Sequence, residues 1–207
     1  MLRPLNPERG ATLIEMMVAV AIVVVLLGLA APNFAAWIQS SQIRTAAESV
    51  QNGLQLAKAE AVRRNSSVGF YLTSTMDNAC ALSATGTNWV VSQRTPTGLC
   101  ASAPSETAAA PDPLIVQVRS GTEGSRNATI AADQASVIFT ALGQATLPSG
   151  TVNNINISNS TGGACTTTGG GGGPMRCLRV TVSTSGQIRM CDPAVSTTAS
   201  PPDSRAC

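Results

Sequence analysis

The sequence predicts an α+β fold in which one long N-terminal helix packs on a C-terminal antiparallel β domain crosslinked by disulfides. Three observations predict it: an apolar run that continues into an amphipathic stretch, short β-branched segments separated by turn residues, and six cysteines that all follow the helical part. We therefore divide the chain into a polar leader, an apolar helix, an amphipathic helix and a β-rich globular domain, at residues 1–10, 11–37, 38–65 and 66–207.

The apolar helix is long enough to cross a membrane. Between Met16 and Trp37 its only polar side chain is Asn33, and about 20 apolar residues suffice for a span. Two arginines in the leader keep that end in the cytoplasm by the positive-inside rule. Glu15 stands at the N-terminal edge of the run. Because a carboxylate inside a membrane helix costs about 2.5–3.5 kcal/mol on insertion scales, Glu15 requires a specific role.

The amphipathic helix carries its apolar residues at steps of three and four, which places them on one face. That face consists of Ile43, Ala46, Ala47, Val50, Leu54, Ala57 and Ala61. The helix is predicted to run to about Arg64 and to end at Asn65-Ser66-Ser67.

Charged residues on the polar side of this helix have ordinary structural interpretations. Arg44 and Glu48 are spaced i,i+4 and form a minor helix-supporting pair. The basic residues at the C-terminal end are interpreted as a solvated helix end rather than a ligand site; they are Lys58, Arg63 and Arg64.

The globular domain is predicted to be β-rich, because β-branched residues alternate in short segments between turns. The predicted strands are Val68–Thr73, Trp89–Arg94, Leu114–Arg119, Ser136–Thr140, Val152–Ser158, Cys177–Ser183 and Gln187–Cys191. Ala101–Pro113 is predicted to be a poorly ordered loop, and Thr161–Pro174, with five consecutive glycines, a flexible one. The last two strands should form a hairpin with its turn at Ser183–Gly186.

The cysteines indicate disulfides in an oxidising compartment, since their number is even and none forms a CxxC pair. They are Cys80, Cys100, Cys165, Cys177, Cys191 and Cys207. We favour Cys80–Cys100, because these two bracket one predicted strand. The terminal hairpin would set Cys177 nearly opposite Cys191, but Cys165–Cys177 and Cys191–Cys207 are equally serious rivals.

The composition argues against catalysis. The absence of histidine removes histidine-based triads, histidine acid–base chemistry and most zinc sites. The glycine run Gly169–Gly173 is followed by Pro174 rather than by the lysine of a phosphate-binding loop. Acidic residues are scattered, so neither paired-carboxylate catalysis nor a calcium loop is indicated. We predict a protein that is not an enzyme and has no cofactor and no metal site.

The N-terminal motif Gly10-Ala-Thr-Leu-Ile-Glu15, followed directly by the apolar run, resembles that of type IV pilins and type II secretion pseudopilins, which prepilin peptidase processes. The segment Leu54–Asn65 is similar to the helix end of the GspH/FimT group of minor pilins and pseudopilins, with Lys58 in place of the usual arginine. This resemblance covers the first third of the chain well. It implies a pilin-like fold, in which a membrane half and an amphipathic half form one helix.

The resemblance also implies roles for individual residues. Gly10 matches the residue before the cleavage site, and Ala11 matches the new N-terminal residue, which the family usually methylates. Most members have Phe or Met at that position, so Ala11 is a departure. Glu15 matches the residue that meets the terminal amine of a neighbouring subunit, an arrangement in which each buried charge compensates the other. Pro32 matches the proline at which pilin helices bend or melt, consistent with its missing backbone donor.

The function implied is that of a minor pilin that assembles into a type IV pilus, or at its tip, and supports pilus biogenesis. Its expected partners are other pilins or pseudopilins, prepilin peptidase and the inner membrane, which it would cross once with a periplasmic domain before entering the pilus or pseudopilus. The alternative within this class is a type II secretion pseudopilin that serves protein export.

A second alternative is a DNA receptor at the pilus tip. Some FimT-like members bind DNA through a Gly-Arg-x-Arg motif, which here reads Gly186-Gln-Ile-Arg189 and lacks the first arginine. The net charge of +2 is too small for general nucleic-acid affinity. A local phosphate-contacting patch would still be available from the C-terminal arginines, which are Arg176, Arg179, Arg189 and Arg205.

Overall fold

The computed structural model describes residues 12–107, 109, 111–147, 150, 152–198, 200–201 and 203–207, without the side chains of residues 29–33 and 35. Its first element is helix α1, Leu13–Arg64, with 52 residues. The helix begins after Thr12, whose hydroxyl accepts a hydrogen bond from the backbone N–H of Glu15 at 3.4 Å. It ends at Asn65, which adopts a left-handed conformation with φ 48° and donates its N–H to the last turn. The predicted helix end near Arg64 is confirmed.

Nine strands follow the helix in the described part of the chain, and seven of them lie within two residues of the predicted segments. Their bounds are β1 Val68–Thr73, β2 Asn88–Ser92, β3 Ile115–Arg119, β4 Ala128–Ala132, β5 Ser136–Phe139, β6 Ala145–Thr146, β7 Val152–Asn159, β8 Leu178–Ser183 and β9 Ile188–Cys191. The sequence prediction missed β4 and β6. Strand β4 reads Ala-Thr-Ile-Ala-Ala, and its three alanines have little preference for strands, while β6 has only two residues.

The strands form two antiparallel sheets. The first has the order β3-β2-β1-β5-β6, and the second has the order β4-β7-β8-β9. In the second sheet, β8 and β9 form a hairpin that sets Thr181 opposite Arg189. The N–H of Gly186 donates to the carbonyl of Ser183 at 2.8 Å and closes the turn. The predicted terminal hairpin and its turn are therefore confirmed.

The second half of α1 packs against both sheets and forms the core with them. Every residue of the predicted apolar face, from Ile43 to Ala61, is at most 6% exposed. Gly53 lies where the helix meets the first sheet, and a Cβ there would stand 2.8 Å from the Phe70 ring. The ring can approach the helix because glycine has no side chain. The adjacent Trp89 indole N–H donates to the Ser49 hydroxyl at 3.0 Å.

Three disulfides crosslink the β domain. Cys80–Cys100 is present as predicted and borders a small second core with Val90. The other bridges are Cys165–Cys177 and Cys191–Cys207. These are the two rival pairings that the sequence left open, and the Cys177–Cys191 alternative is wrong. The hairpin register explains this, because it sets Arg179, and not Cys177, opposite Cys191.

The glycine-rich segment Thr161–Pro174, which was predicted to be a flexible loop, makes several hydrogen bonds of its own. The N–H of Thr166 donates to the Met175 carbonyl at 2.8 Å, and the Thr166 hydroxyl donates to Gly173 at 2.8 Å. The N–H of Thr167 reaches the Gly171 carbonyl at 2.8 Å. These bonds make a small hairpin that the Cys165–Cys177 bridge closes at its base.

Two of the three basic residues at the end of α1 are at least partly buried and hydrogen-bonded, so their interpretation as a solvated helix end is wrong. The Lys58 ammonium donates to the Gly186 carbonyl at 2.9 Å and ties the helix to the β8–β9 turn. Arg64, which is mostly buried, donates to Glu60 at 2.7 Å. Arg63 is exposed, but it also donates to Glu60, at 2.7 Å. The hydrogen bond from Arg63 is the largest cause that lowers the pKa of Glu60, and the bond from Arg64 adds to it.

Candidate functional site

The first half of α1 presents an apolar surface that the β domain leaves uncovered. Its large apolar side chains between Leu13 and Leu27 are 52–80% exposed. This contrasts with the buried face of the second half of the same helix. Continuous apolar surface of this kind marks a site of interaction with membrane or protein. Within the part of the chain whose side chains the structure describes, no helical stretch is at once long and apolar enough to cross a membrane.

Glu15 lies in the first turn of this exposed half. Among the residues that the structure describes, no side chain or backbone group bonds its carboxylate. Gly10 and Ala11, the predicted cleavage and methylation positions, lie outside the described residues. Position 32 lies within α1, which stays helical there, while the Pro32 side chain falls outside the described part.

An aromatic pair marks the point at which the helix reaches the β domain. Phe34 and Trp37 are both exposed, and their ring centroids are 5.8 Å apart in a stacked arrangement. Directly beyond them, the helix enters the domain and its side chains become progressively buried. The exposed apolar half therefore ends on an aromatic boundary.

A polar clamp fixes the helix to the second sheet immediately after this boundary. The Gln39 side-chain oxygen accepts hydrogen bonds from the amide of Asn159 at 2.6 Å and from the amide of Asn127 at 3.3 Å. Asn159 is 1% exposed, and its own oxygen accepts the N–H groups of Thr161 and Gly162. Because that oxygen is committed to two backbone donors, the Asn159 nitrogen must point at Gln39.

An open groove of about 560 Å³ lies between α1, the β8–β9 hairpin and the C-terminal tail. Arg44 contributes from the helix, Arg176 from the segment before β8 and Arg205 from the tail, while Leu178 and Met190 contribute apolar surface. Two of the four arginines predicted as a phosphate-contacting patch, Arg176 and Arg205, thus meet in one groove. Sequence reasoning missed Arg44 as a member, since it was interpreted only as a partner of Glu48.

Each groove arginine is paired with a carboxylate. Arg44 bonds Glu48 at 2.9 Å, as predicted, Arg176 bonds Asp192 at 3.0 Å, and Arg205 bonds Asp203 at 2.7 Å. The hydrogen bond from the Arg205 side chain is the main cause that lowers the pKa of Asp203 to about 2.

The other two predicted arginines have different surroundings. The Arg179 guanidinium donates to the Asn156 side chain at 2.7 Å across the second sheet. Arg189 donates to the carbonyls of Ser204 at 2.8 Å and Ala206 at 2.6 Å, and it holds the tail along β9 together with the Cys191–Cys207 bridge. The four arginines therefore divide between a groove and two structural contacts.

Comparison with known proteins gives two family matches. The family described as type II transport protein GspH matches residues 46–186, and the prokaryotic N-terminal methylation motif matches residues 5–31. No curated protein sequence matches the chain significantly.

Two solved structures are similar in fold. The type IV minor pilin FimU of Pseudomonas aeruginosa has 16% sequence identity and a TM-score of 0.46, and the match covers 72% of this chain and 87% of FimU. The E. coli GspH structure has 14% identity and a TM-score of 0.42, and the match covers 75% of this chain and 92% of GspH.

Proposed function

This chain belongs to the GspH family of type II transport proteins, and from that membership we propose that it is a minor pilin that assembles into a type IV pilus, or at its tip, through the first half of α1. The family consists of structural pilin and pseudopilin subunits rather than enzymes. Membership, together with the N-terminal methylation motif, implies processing by prepilin peptidase and assembly with other pilins.

The observation that carries this proposal is the contrast between the two halves of α1. The second half is buried by its own β domain, whereas large side chains from Leu13 to Leu27 lie exposed. Burying one large apolar side chain is worth about 1.5–3 kcal/mol, so this surface requires lipid or protein around it. We propose that residues 11–37 lie in the inner membrane before assembly, with residues 38–207 periplasmic, and that they pack with neighbouring helices in the filament afterwards.

We expect Glu15 to position each new subunit against its neighbour during assembly. Removal of residues 1–10 would leave the amine of Ala11 as the new N-terminus, with or without methylation. In the core of a filament, that amine on one subunit would pair with the Glu15 carboxylate on the next, which bonds no group among the described residues. The two charges would compensate each other, because breaking a buried pair leaves an uncompensated charge. Pro32 would let the helix adjust its course where subunits pack, since proline removes a backbone donor.

The rival within the family is a type II secretion pseudopilin, and the family's own description supports it. We propose the pilus because a β domain with three disulfides is stabilised for exposure outside the cell as well as in the periplasm. A DNA receptor has less support, because two of the four arginines that it would use make structural contacts instead.

The test combines processing, assembly and filament identity. Mass spectrometry of the mature protein should show Ala11 as its first residue, and a retained leader would remove the assignment. Glu15→Val should insert and be processed normally but be missing from sheared filaments. The control Glu48→Gln, which removes an exposed carboxylate from the same helix, should assemble. Normal incorporation of Glu15→Val would remove Glu15 from this role.

A deletion strain tests which filament contains the subunit. Loss of protein secretion with intact pili in that strain would place the subunit in the pseudopilus instead.

A further inference from the structure

We propose that the groove between α1, the β8–β9 hairpin and the C-terminal tail binds the phosphate headgroups of anionic phospholipids, and so seats the base of the β domain on the membrane before assembly. This inference rests on the proposed membrane residence of the unassembled subunit. It assigns a ligand site to the groove, which lies outside the exposed half of α1 that we propose for assembly.

The groove lies at the correct height along α1. At 1.5 Å per residue, the helix from Leu13 to Trp37 is about 36 Å long, somewhat more than the roughly 30 Å hydrocarbon core of a bilayer. Trp37, which lines the groove and stacks on Phe34, therefore falls at the membrane interface, where tryptophan is enriched. Arg44 lies about 10 Å farther along the helix, at the level of the headgroups.

The groove presents positive charge to solvent even though each arginine is paired. In all three pairs the guanidinium is the outer partner: the side chains of Arg44, Arg176 and Arg205 are 76%, 61% and 63% exposed. Their partners Glu48, Asp192 and Asp203 are 52%, 8% and 27% exposed. A guanidinium has five N–H donors, and the carboxylate uses only part of them. The remaining donors can bind phosphate oxygens, often in bidentate geometry.

The chemistry of the groove walls matches a lipid better than a nucleic acid. Trp37 and the partly buried Leu178 and Met190 provide apolar surface beside the arginines, as the glycerol and upper acyl region of a phospholipid requires. The Ser40 and Ser41 positions add polar groups along the helix side. The exposed apolar half of α1 continues directly from this groove, so a bilayer that surrounds that half would occupy the approach a DNA duplex needs.

The experiment uses the mature full chain reconstituted in bilayers of phosphatidylcholine with a minor fraction of phosphatidylglycerol. After mild solubilisation and purification, mass spectrometry measures the ratio of the two lipids that remain bound. Each basic residue at an anionic surface contributes about a five-fold preference at most, and carboxylate partners reduce this, so we expect roughly three-fold enrichment of phosphatidylglycerol. Raising the salt to about 0.5 M should weaken the enrichment.

Matched variants distinguish lipid binding in the groove from a general effect of positive charge on the protein. The triple variant Arg44→Gln/Arg176→Gln/Arg205→Gln should retain the two lipids in the bulk ratio. Arg63→Gln/Arg94→Gln/Arg119→Gln removes the same charge elsewhere and should keep the enrichment, and the lysine triple at the groove positions should keep part of it. The near-ultraviolet circular dichroism of all variants reports whether the β domain remains folded.

The outcomes distinguish the inference from its premise. Failure of the wild-type chain to resist carbonate extraction from membranes would remove the proposed membrane residence itself. Stable insertion without enrichment, or equal enrichment in the groove triple and the wild type, would overturn the lipid site alone. Salt-sensitive gel shifts of DNA that the groove triple abolishes, without lipid enrichment, would assign the groove to nucleic acid and also overturn it.

Discussion

The polar clamp at Gln39 gives a prediction whose size can be worked from individual contacts. In Gln39→Ala, the Asn159 amide loses its 2.6 Å acceptor in a site where the residue is 1% exposed. Leaving a buried donor unsatisfied costs about 1–3 kcal/mol. The longer 3.3 Å bond from the partly exposed Asn127 adds little, because water can replace it. We expect a loss of about 2 kcal/mol in the free energy of unfolding.

Two further variants isolate the buried amide as the cause. Gln42 accepts one bond, from the backbone N–H of Asn127 at 3.0 Å, so Gln42→Ala should cost less than about 1 kcal/mol. Gln39→Glu keeps an acceptor for both amides and should recover most of the loss. Urea unfolding of the mature chain in detergent, followed by the fluorescence of the buried Trp89, measures all three. Equal midpoints for Gln39→Ala and Gln42→Ala would refute the reasoning.

Three other predictions concern the β domain and the end of α1 that packs on it. Cys191→Ser/Cys207→Ser removes a bridge with a sequence separation of 16 and should lower the free energy of unfolding by about 3 kcal/mol. Amide hydrogen exchange in residues 203–207 should then become faster. Unchanged exchange would show that Arg189 alone holds the tail. The pKa of Glu60 is held below its ordinary value of 4.5, so its ion pairs stabilise the fold above about pH 4.5 and this stabilisation is lost as the pH falls through the folded-state pKa. Glu60→Gln should therefore lower Tm at pH 7 but not at the acid end, and a pH-independent difference in calorimetry would contradict this. Gly186→Ala places a Cβ against the Gly143 carbonyl at φ 78° and should destabilise the domain by about 1–3 kcal/mol. Gly98→Ala has a similar φ of 74°, but its Cβ would meet only the Asn78 carbonyl oxygen at an ordinary contact distance of 4.0 Å, so this variant isolates the backbone strain. Equal losses of stability in the two variants would exclude the clash as a cause.

The features that could be predicted from the sequence are the local ones. The end of α1 was predictable because Asn65 and two serines interrupt an apolar face of constant period, and asparagine tolerates the left-handed conformation observed there. Strand β1 was located to the residue, since its β-branched and aromatic side chains are fully enclosed. Strand β4 was not predicted, because alanine has little preference for strands. It forms through its pairing with β7.

The features that could not be predicted depend on tertiary register. From the sequence, Cys177 and Cys191 were expected to lie nearly opposite each other across the terminal hairpin. The observed register differs by two residues, so Arg179 is the residue opposite Cys191. Cys191 then bonds the tail instead, and the tail brings Arg205 beside Arg176. The membership of Arg44 in the same groove follows from where the tail lies against α1, which no local pattern near residue 44 encodes.

Side-chain size, more than hydrophobicity, separates the two halves of α1. Four of the seven residues on the buried face are alanine, at positions 46, 47, 57 and 61, and Gly53 is adjacent to the Phe70 ring. Small side chains let both sheets approach the helix axis, and close packing then fills the space from the sheet side. The exposed half carries Val, Ile, Leu and Met, which remove the largest apolar area from water when a partner covers them, at about 25 cal/mol per Å². The helix thus carries small residues where it packs on its own β domain and large ones where the described structure leaves it exposed. This difference is the physical reason for the proposed assembly role of Leu13–Leu27.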